Sequence, residues 1–195
     1  MKKYELLKDD TIEVNGVKLY RIRALRNFAN VTKDDLGGYV QSEHNLSQSG
    51  DAWVYGNARV YGDARVYGDA QVYGDAWVYG DAWVYGNARV YGDAWVYGNA
   101  WVYGNARVSG DAVINGDNCI VWFSNVGTEF GTLTVYCGKE ELLATRGCFY
   151  GTLDEFCKES ARLHGEQIRR EYELLAEMAR LRLSARQAKI QNANK

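Results

Sequence analysis

DAWVYGNARVYGDARVYGDAQVYGDAWVYG occupies residues 51–80, and the same six-residue unit runs on to residue 117. The unit is A-x-V-Y-G-[DN]. Val recurs at Val54, Val60, Val66, Val72, Val78, Val84, Val90, Val96, Val102 and Val108, and Ile114 and Ile120 then take the slot, with no insertion or deletion. Alternation within the unit turns Ala and Val to one side and the variable residue and Tyr to the other. Gly-[DN] then makes a corner, because glycine takes positive φ without a Cβ penalty and Asn and Asp tolerate it better than most residues. Three corners close a triangular coil of 18 residues, with coils stacked about 4.8 Å apart. Small Ala beside each corner and branched Val on each flat suit a narrow interior. The period therefore predicts a mainly β protein built on a parallel β-helix over residues 39–123.

Read at a spacing of 18, the variable outward slot sorts into three columns. They are Trp53, Gln71, Arg89, Arg107; then Arg59, Trp77, Trp95, Val113; then Arg65, Trp83, Trp101, Cys119. The residue after Val is Tyr on every face until Ser109 and Asn115. Tyr ladders are accounted for by cross-strand stacking alone. The Trp columns point instead to a contact surface, since large exposed aromatic patches mark interaction sites and Trp and Tyr are enriched at hot spots. The candidate partner-binding residues are Trp77, Trp95, Trp83, Trp101 and Trp53, with Tyr79, Tyr97, Tyr85 and Tyr103. The corner column of Asp and Asn is expected to cap backbone amides rather than to bind calcium.

The ends of a solenoid need covering, because the terminal rung exposes unpaired backbone groups. Asn15-Gly16 between TIEV and VKLYRIRAL signals a β-hairpin, so residues 1–38 read as a cap. Leu46 and Val54 are eight apart, which places a two-residue bulge before the regular run. Beyond Ile120, TLTVYC and ELLATRGCF read as a hairpin around Gly138-Lys139 in a β segment, residues 124–151. A helical tail, residues 152–195, opens on the capping box Thr152-x-x-Glu155. Leu153, Phe156, Cys157 and Ala161 form one face of its first helix, and Gly165 stops it. The second helix carries Ile168, Tyr172, Leu175 and Ala179 in one stripe, widened by Leu174, Met178 and Leu181. A stripe this broad needs a partner. Ile168, Tyr172, Leu175 and Met178 are the candidate oligomerisation residues. Its basic end runs to Lys195, and Gln191 onward is expected to fray.

The composition narrows the function. Net charge is −2 over 195 residues, so nucleic acid is not an expected partner. No run of apolar residues is long enough to span a membrane. MKKYELLKDD runs into charge rather than an apolar core, and the four cysteines form no C-x-x-C pair, so reduced thiols in a cytoplasm are expected. No metal or cofactor is expected. His44 and His164 are the two histidines, and neither lies in the uninterrupted coils. His44, in QSEHNLS, reads as a surface polar residue.

The hexads resemble those of hexapeptide-repeat proteins, which implies a left-handed coil and an inclination to trimerise. Acyltransferases of that kind use a histidine base at a subunit interface beside projecting loops, and residues 51–117 carry neither. The flanks are more specific. LYRIRALRNF, LGGYVQSEHNLSQSGDAWVYGNARVYGDA and RGCFYGTLDEF together resemble a group of bacteriophage and prophage proteins with the same order of segments. The resemblance implies a phage-encoded protein acting in an infected bacterial cell and transfers no functional residues. The leading expectation is a non-enzymatic binding protein that presents its aromatic columns to a protein partner, such as a host defence component. The alternative is a structural homo-oligomer, dimer or trimer, associated with the virion. A small-molecule sponge and a hexapeptide acyltransferase relative stand behind these.

Overall fold

The computed structural model of the chain describes residues 2–193. A hairpin of β1 (Tyr4–Val14) and β2 (Val17–Ala24) leads into β3 (Leu36–Val40). Two-residue strands then recur every six residues, from β4 (Trp53–Val54) to β14 (Val113–Ile114). Parallel pairing follows the predicted columns. Trp53 pairs with Gln71, Gln71 with Arg89 and Arg89 with Arg107 on the first face. Arg59, Trp77, Trp95 and Val113 align on the second, and Arg65, Trp83 and Trp101 on the third. The inward Ala and Val of every hexad are buried. The fold is the expected β-solenoid. Val40 pairs with Val60 and Leu46 with Val66, so the two extra residues are absorbed in the first coil.

The corner geometry departs from expectation in two respects. Glycines 56 to 110 of the repeat all have φ between 58° and 74°, whereas the Asp or Asn that follows is not in that region. A Cβ at Gly92 would meet Gly110 N at 2.8 Å, so crowding between coils reinforces the choice of glycine. The following residue pairs with the coil beneath through its backbone: Asp69 N donates to Gly86 O and Asn87 N to Gly104 O, both at 2.9 Å. The carboxylates largely face solvent, and two cap amides as expected: Asp69 Oδ1 accepts from Asp51 N at 3.3 Å and Asp117 Oδ1 from Trp101 N at 3.1 Å.

The upper end is sealed by side chains that imitate a further coil. Tyr4 Oη donates to Leu46 O at 2.6 Å. Buried Asn45 donates through Nδ2 to Gly62 O and Ala64 O, both at 2.9 Å. Lys3 is buried, and its Nζ donates to Ala52 O at 2.8 Å. Burial pushes Lys3 down to about 8, with Arg26 adding to the fall. The double glycine of LGG lets β3 lie close on the first coil, since a Cβ at Gly38 would meet Ala58 O at 2.5 Å. Asn15 and Gly16 both take positive φ at the hairpin turn. The hairpin extends the second face's sheet, in the order β1, β2, β3, then the strands of that face.

The lower end carries more strand than the sequence suggested. After a single 3-10 turn, Asp117–Cys119, a four-stranded antiparallel sheet follows among the described residues. Its strands are β15 (Ile120–Val126), β16 (Gly131–Cys137), β17 (Leu142–Arg146) and β18 (Phe149–Thr152). ELLATRGCF is thus itself a hairpin about Gly147, not one strand. Cys119 is buried in the turn and not in an outward slot. Side chains of β16 and β17 satisfy the last rung of the first face. Arg107 N donates to Thr134 Oγ1 at 3.1 Å, Thr145 Oγ1 donates to Arg107 O at 2.6 Å, and Ser109 N donates to Tyr136 Oη at 3.1 Å.

Helix α1 (Leu153–Leu163) begins with the predicted reciprocal capping box of Thr152 and Glu155. Its buried face is Leu153, Phe156 and Ser160; Ala161 is exposed, because the helix seats its apolar face one position earlier. Helix α2 (Glu166–Ala193) stays helical past Gln191, and Asn194 and Lys195 lie outside the described residues. Its buried stripe is Tyr172, Ala176, Ala179, Leu183, Gln187 and Ile190, packed on α1 and the antiparallel sheet. Gln187 clasps Gly138, accepting from its N–H at 3.1 Å and donating to its carbonyl at 3.0 Å.

Removing the Tyr136 hydroxyl strands the buried Ser109 N–H without an acceptor. Tyr136→Phe is expected to lower unfolding stability by about 1–3 kcal/mol, read as a shift of the urea midpoint with unchanged slope.

Candidate functional site

The hexads place their outward aromatics in register, because identical slots repeat directly above one another. Tyr61, Tyr79 and Tyr97 stack on the second face at 5.1 and 5.0 Å between ring centroids, with planes within 4°. Tyr67, Tyr85 and Tyr103 do the same on the third face at 4.9 and 5.0 Å. Trp77 stacks on Trp95 at 5.7 Å and Trp83 on Trp101 at 5.5 Å. Each column is headed by a cation over a ring: Arg59 lies 4.8 Å from the Trp77 centroid and Arg65 lies 5.4 Å from Trp83. Such pairs contribute about 0.5–1.5 kcal/mol each beyond burial, so the ladders help to hold strands only two residues long. Burial lifts Tyr79 to about 12, with Tyr97 and Tyr61 adding to the rise, so its hydroxyl stays protonated.

The two caps leave the faces unequally covered. Trp53, expected outside, is buried at 1% exposure. Tyr4 and Phe28 pack edge-on against its ring, because the N-terminal cap folds down over the top of the first face. On the second face the hairpin tip sets Val14 and Leu19 against Tyr39 and Tyr61, with Trp77 and Tyr79 partly covered. The end of α2 closes that face from below: Val113 is buried, and Arg186 donates to Asn115 Oδ1 at 2.7 Å. Trp95 emerges between these covers at 41% exposure.

The third face is the open one. Trp101 is 44% and Tyr103 38% exposed, and Trp83 and Tyr85 are partly exposed beside them. The array runs past the last coil, since Trp122 of β15 meets Tyr103 edge-on at 4.4 Å. Trp122 and Arg182 border a recess there with Trp101 and Tyr103. At the top, Arg65 Nε donates to His44 Nε2 at 3.1 Å, so His44 extends the same face as an exposed polar residue. Trp122 lies beyond the repeat, and a period of six could not assign it to a column. The apolar run VWF of residues 121–123 was the signal for a strand there.

Of the four candidate oligomerisation residues, three turn toward the chain's own core. Tyr172 is buried in the chain's own core, edge-on to Phe156 at 5.0 Å, and its hydroxyl accepts from Arg146 Nε at 3.1 Å. Ile168 and Leu175 pack partly against that core, while Met178 faces outward with Leu174 and Leu181. Among the described residues no three His, Cys, Asp or Glu side chains gather into a group able to hold a metal. No helix among them is long and apolar enough to cross a membrane.

The chain is similar to one described family over its coils. The family described as YdcK beta solenoid repeat matches residues 52–68, 58–73, 70–86, 82–98 and 100–116. The matches lie on the hexads and leave both caps outside. Among curated proteins, none matches the chain.

The unequal cover predicts a division in tryptophan fluorescence. Trp95→Phe and Trp101→Phe should each remove emission that acrylamide quenches readily. Trp53→Phe should remove a blue-shifted component that acrylamide barely reaches.

Proposed function

We propose that the protein is a non-catalytic binding protein whose third face docks a protein partner through Trp83, Trp101, Tyr85, Tyr103 and Trp122. The observation that carries this reading is the exposure of Trp101 and Tyr103 within a stacked array that runs on to Trp122. The cost of ordering interface side chains is a large part of what association must overcome. Here stacking has already fixed the rings, so a partner meets a rigid apolar surface. Arg65 and His44 at one end and Asp117 and Arg182 at the other give it a polar rim, the arrangement of a protein interface. Trp95 lies on the adjoining face and widens the surface. The resemblance of the flanks to phage and prophage proteins supports a setting inside an infected bacterium. There a host defence component is the partner class proposed, and occlusion is the mode of action.

The test is capture from infected cells with tagged protein, comparing wild type with Trp83→Ser/Trp101→Ser. Hot-spot tryptophans contribute about 2 kcal/mol or more each. The double variant should therefore lose its specific partner while keeping its β-rich circular dichroism. Retention of the same partner by a folded double variant would sink the proposal.

A second reading, a self-assembling structural protein, is favoured by a separate observation on α2. Leu174, Met178 and Leu181 are 48%, 46% and 81% exposed at spacings of four and three. This is the period of a helix-pairing seam. The first half of the helix carries Glu166, Glu171, Glu173 and Glu177 against Arg169 and Arg170, and the second carries only basic charges, Arg180, Arg182, Arg186 and Lys189. An antiparallel pair sets opposite charges together, whereas a parallel pair sets like against like. Sedimentation velocity on wild type and Leu181→Glu decides this. A dimer that Leu181→Glu converts to monomer supports assembly through α2, and a monomeric wild type at high micromolar concentration removes it.

A further inference from the structure

The four outward arginines of the regular hexads do not share one environment. Arg59 and Arg65 each lie over a tryptophan of the next coil. Arg89 instead pairs in register with Arg107 on the neighbouring coil. Like charges directly opposite on a sheet repel. Among the described residues neither arginine forms an ion pair, and Arg89 has no side-chain hydrogen bond. The corner residues change in the same two coils. Down this corner the sequence reads Asp51, Asp69, Asn87, Asn105, so the carboxylates stop where the arginines begin. Both changes remove negative charge or add positive charge at one place.

That place is concave. Asn87, Arg89, Asn105 and Arg107 form one wall of a cleft of about 330 Å³, and the loops of the antiparallel sheet form the other. Arg146 lines it from that side, held by Tyr172 Oη at Nε and by Val126 O at 3.1 Å from Nη2. Glu129 Oε2 stands 3.6 Å from Arg146 Nη1 and offsets one of the three positive charges. Arg107 Nη1 donates to Gly147 O at 3.1 Å, which fixes the guanidinium facing the cleft. At the rim Phe130 is 73% exposed, with φ 48°. A bulky residue with positive φ is uncommon and marks a backbone held there by its surroundings.

We propose that this cleft binds a small aromatic phosphate ester, with Arg89 and Arg107 as ligands of the phosphoryl group and Phe130 as the surface for the ring. A phosphoryl dianion offsets the like charges of these two arginines, which line the same cleft, and accepts from both, in the chemistry that favours arginine over lysine. The volume lies within the range of small-molecule sites. The site is independent of the third face, since it lies on the first face and beneath its loops.

Calorimetric titration at constant ionic strength, with inorganic phosphate and with adenosine monophosphate as probes, tests the proposal. Wild type should bind both, and the ester about tenfold more tightly through stacking on Phe130. Arg89→Gln should weaken both about tenfold or more, because a charge-assisted pair is lost. Phe130→Ala should weaken the ester alone. Arg89 holds no other side chain and faces a like charge, so its variant is expected to melt no lower than wild type in the absence of probe. Three outcomes overturn the assignment: no binding of either probe at millimolar concentration, equal binding by Arg89→Gln, or equal affinity of wild type for phosphate and ester.

Discussion

Each coil of this protein but the last donates its outward-strand N–H groups to the coil beneath it. Trp53 N donates to Ala70 O, Gln71 N to Ala88 O and Arg89 N to Ala106 O, and the same offset repeats on the other faces. Strands of two residues have no independent stability, so the register of 18 is the condition on which the rest depends. It explains the positive φ at each glycine corner, the crowding that forbids a Cβ at Gly92 and the uniform Ala and Val of the interior. It also explains the size of the two caps. A coil without a neighbour leaves its amides and carbonyls open, and those groups must be met by something other than another hexad. At the top Lys3, Tyr4 and Asn45 meet them; at the bottom Thr134, Tyr136 and Thr145 do so.

The register also governs the surface. Once slots repeat vertically, each outward residue acquires a neighbour of the same slot, and its chemistry depends on the pair. Tyrosine over tyrosine stacks and stiffens the sheet. Arginine over tryptophan is satisfied by the ring. Arginine over arginine is left in want of an anion. The solenoid thus generates distinct surfaces from one variable position per hexad, while its core stays constant.

The fold was almost fully legible in the sequence, because a period of six with glycine at a fixed phase admits few solutions. The columns at 18, the bulge after Leu46, the Asn15-Gly16 turn and the Thr152 capping box all follow from local chemistry. The candidate site was legible only in part. Outward slot does not mean exposed residue, since Trp53 is covered by Tyr4 and Phe28 and Val113 by the end of α2, and both covers come from distant parts of the chain. Tyr172 misled for the converse reason. A helix with apolar residues on two stripes gives no local clue to which stripe faces its own core, and only packing on Phe156 and the sheet assigns it. Trp122 and Phe130 went unread because they lie where the period has ended.

A hexad is one third of a turn, and this gives the repeat an unusual mutational grammar. Loss of a whole coil of 18 residues shortens the molecule by about 4.8 Å and leaves every face with its own chemistry. Loss of a single hexad preserves the corners and the core yet carries everything after it on to the preceding face. If residues 75–80 were removed, Trp101 would stand on the second face, Trp95 on the first and Arg107 on the third. The C-terminal cap would be turned by a third of a revolution against the hairpin at the other end. Lineages of such a protein can therefore lengthen or shorten by coils at little functional expense. Single-hexad changes act instead as permutations, rewriting which groups share a surface without altering one residue of it.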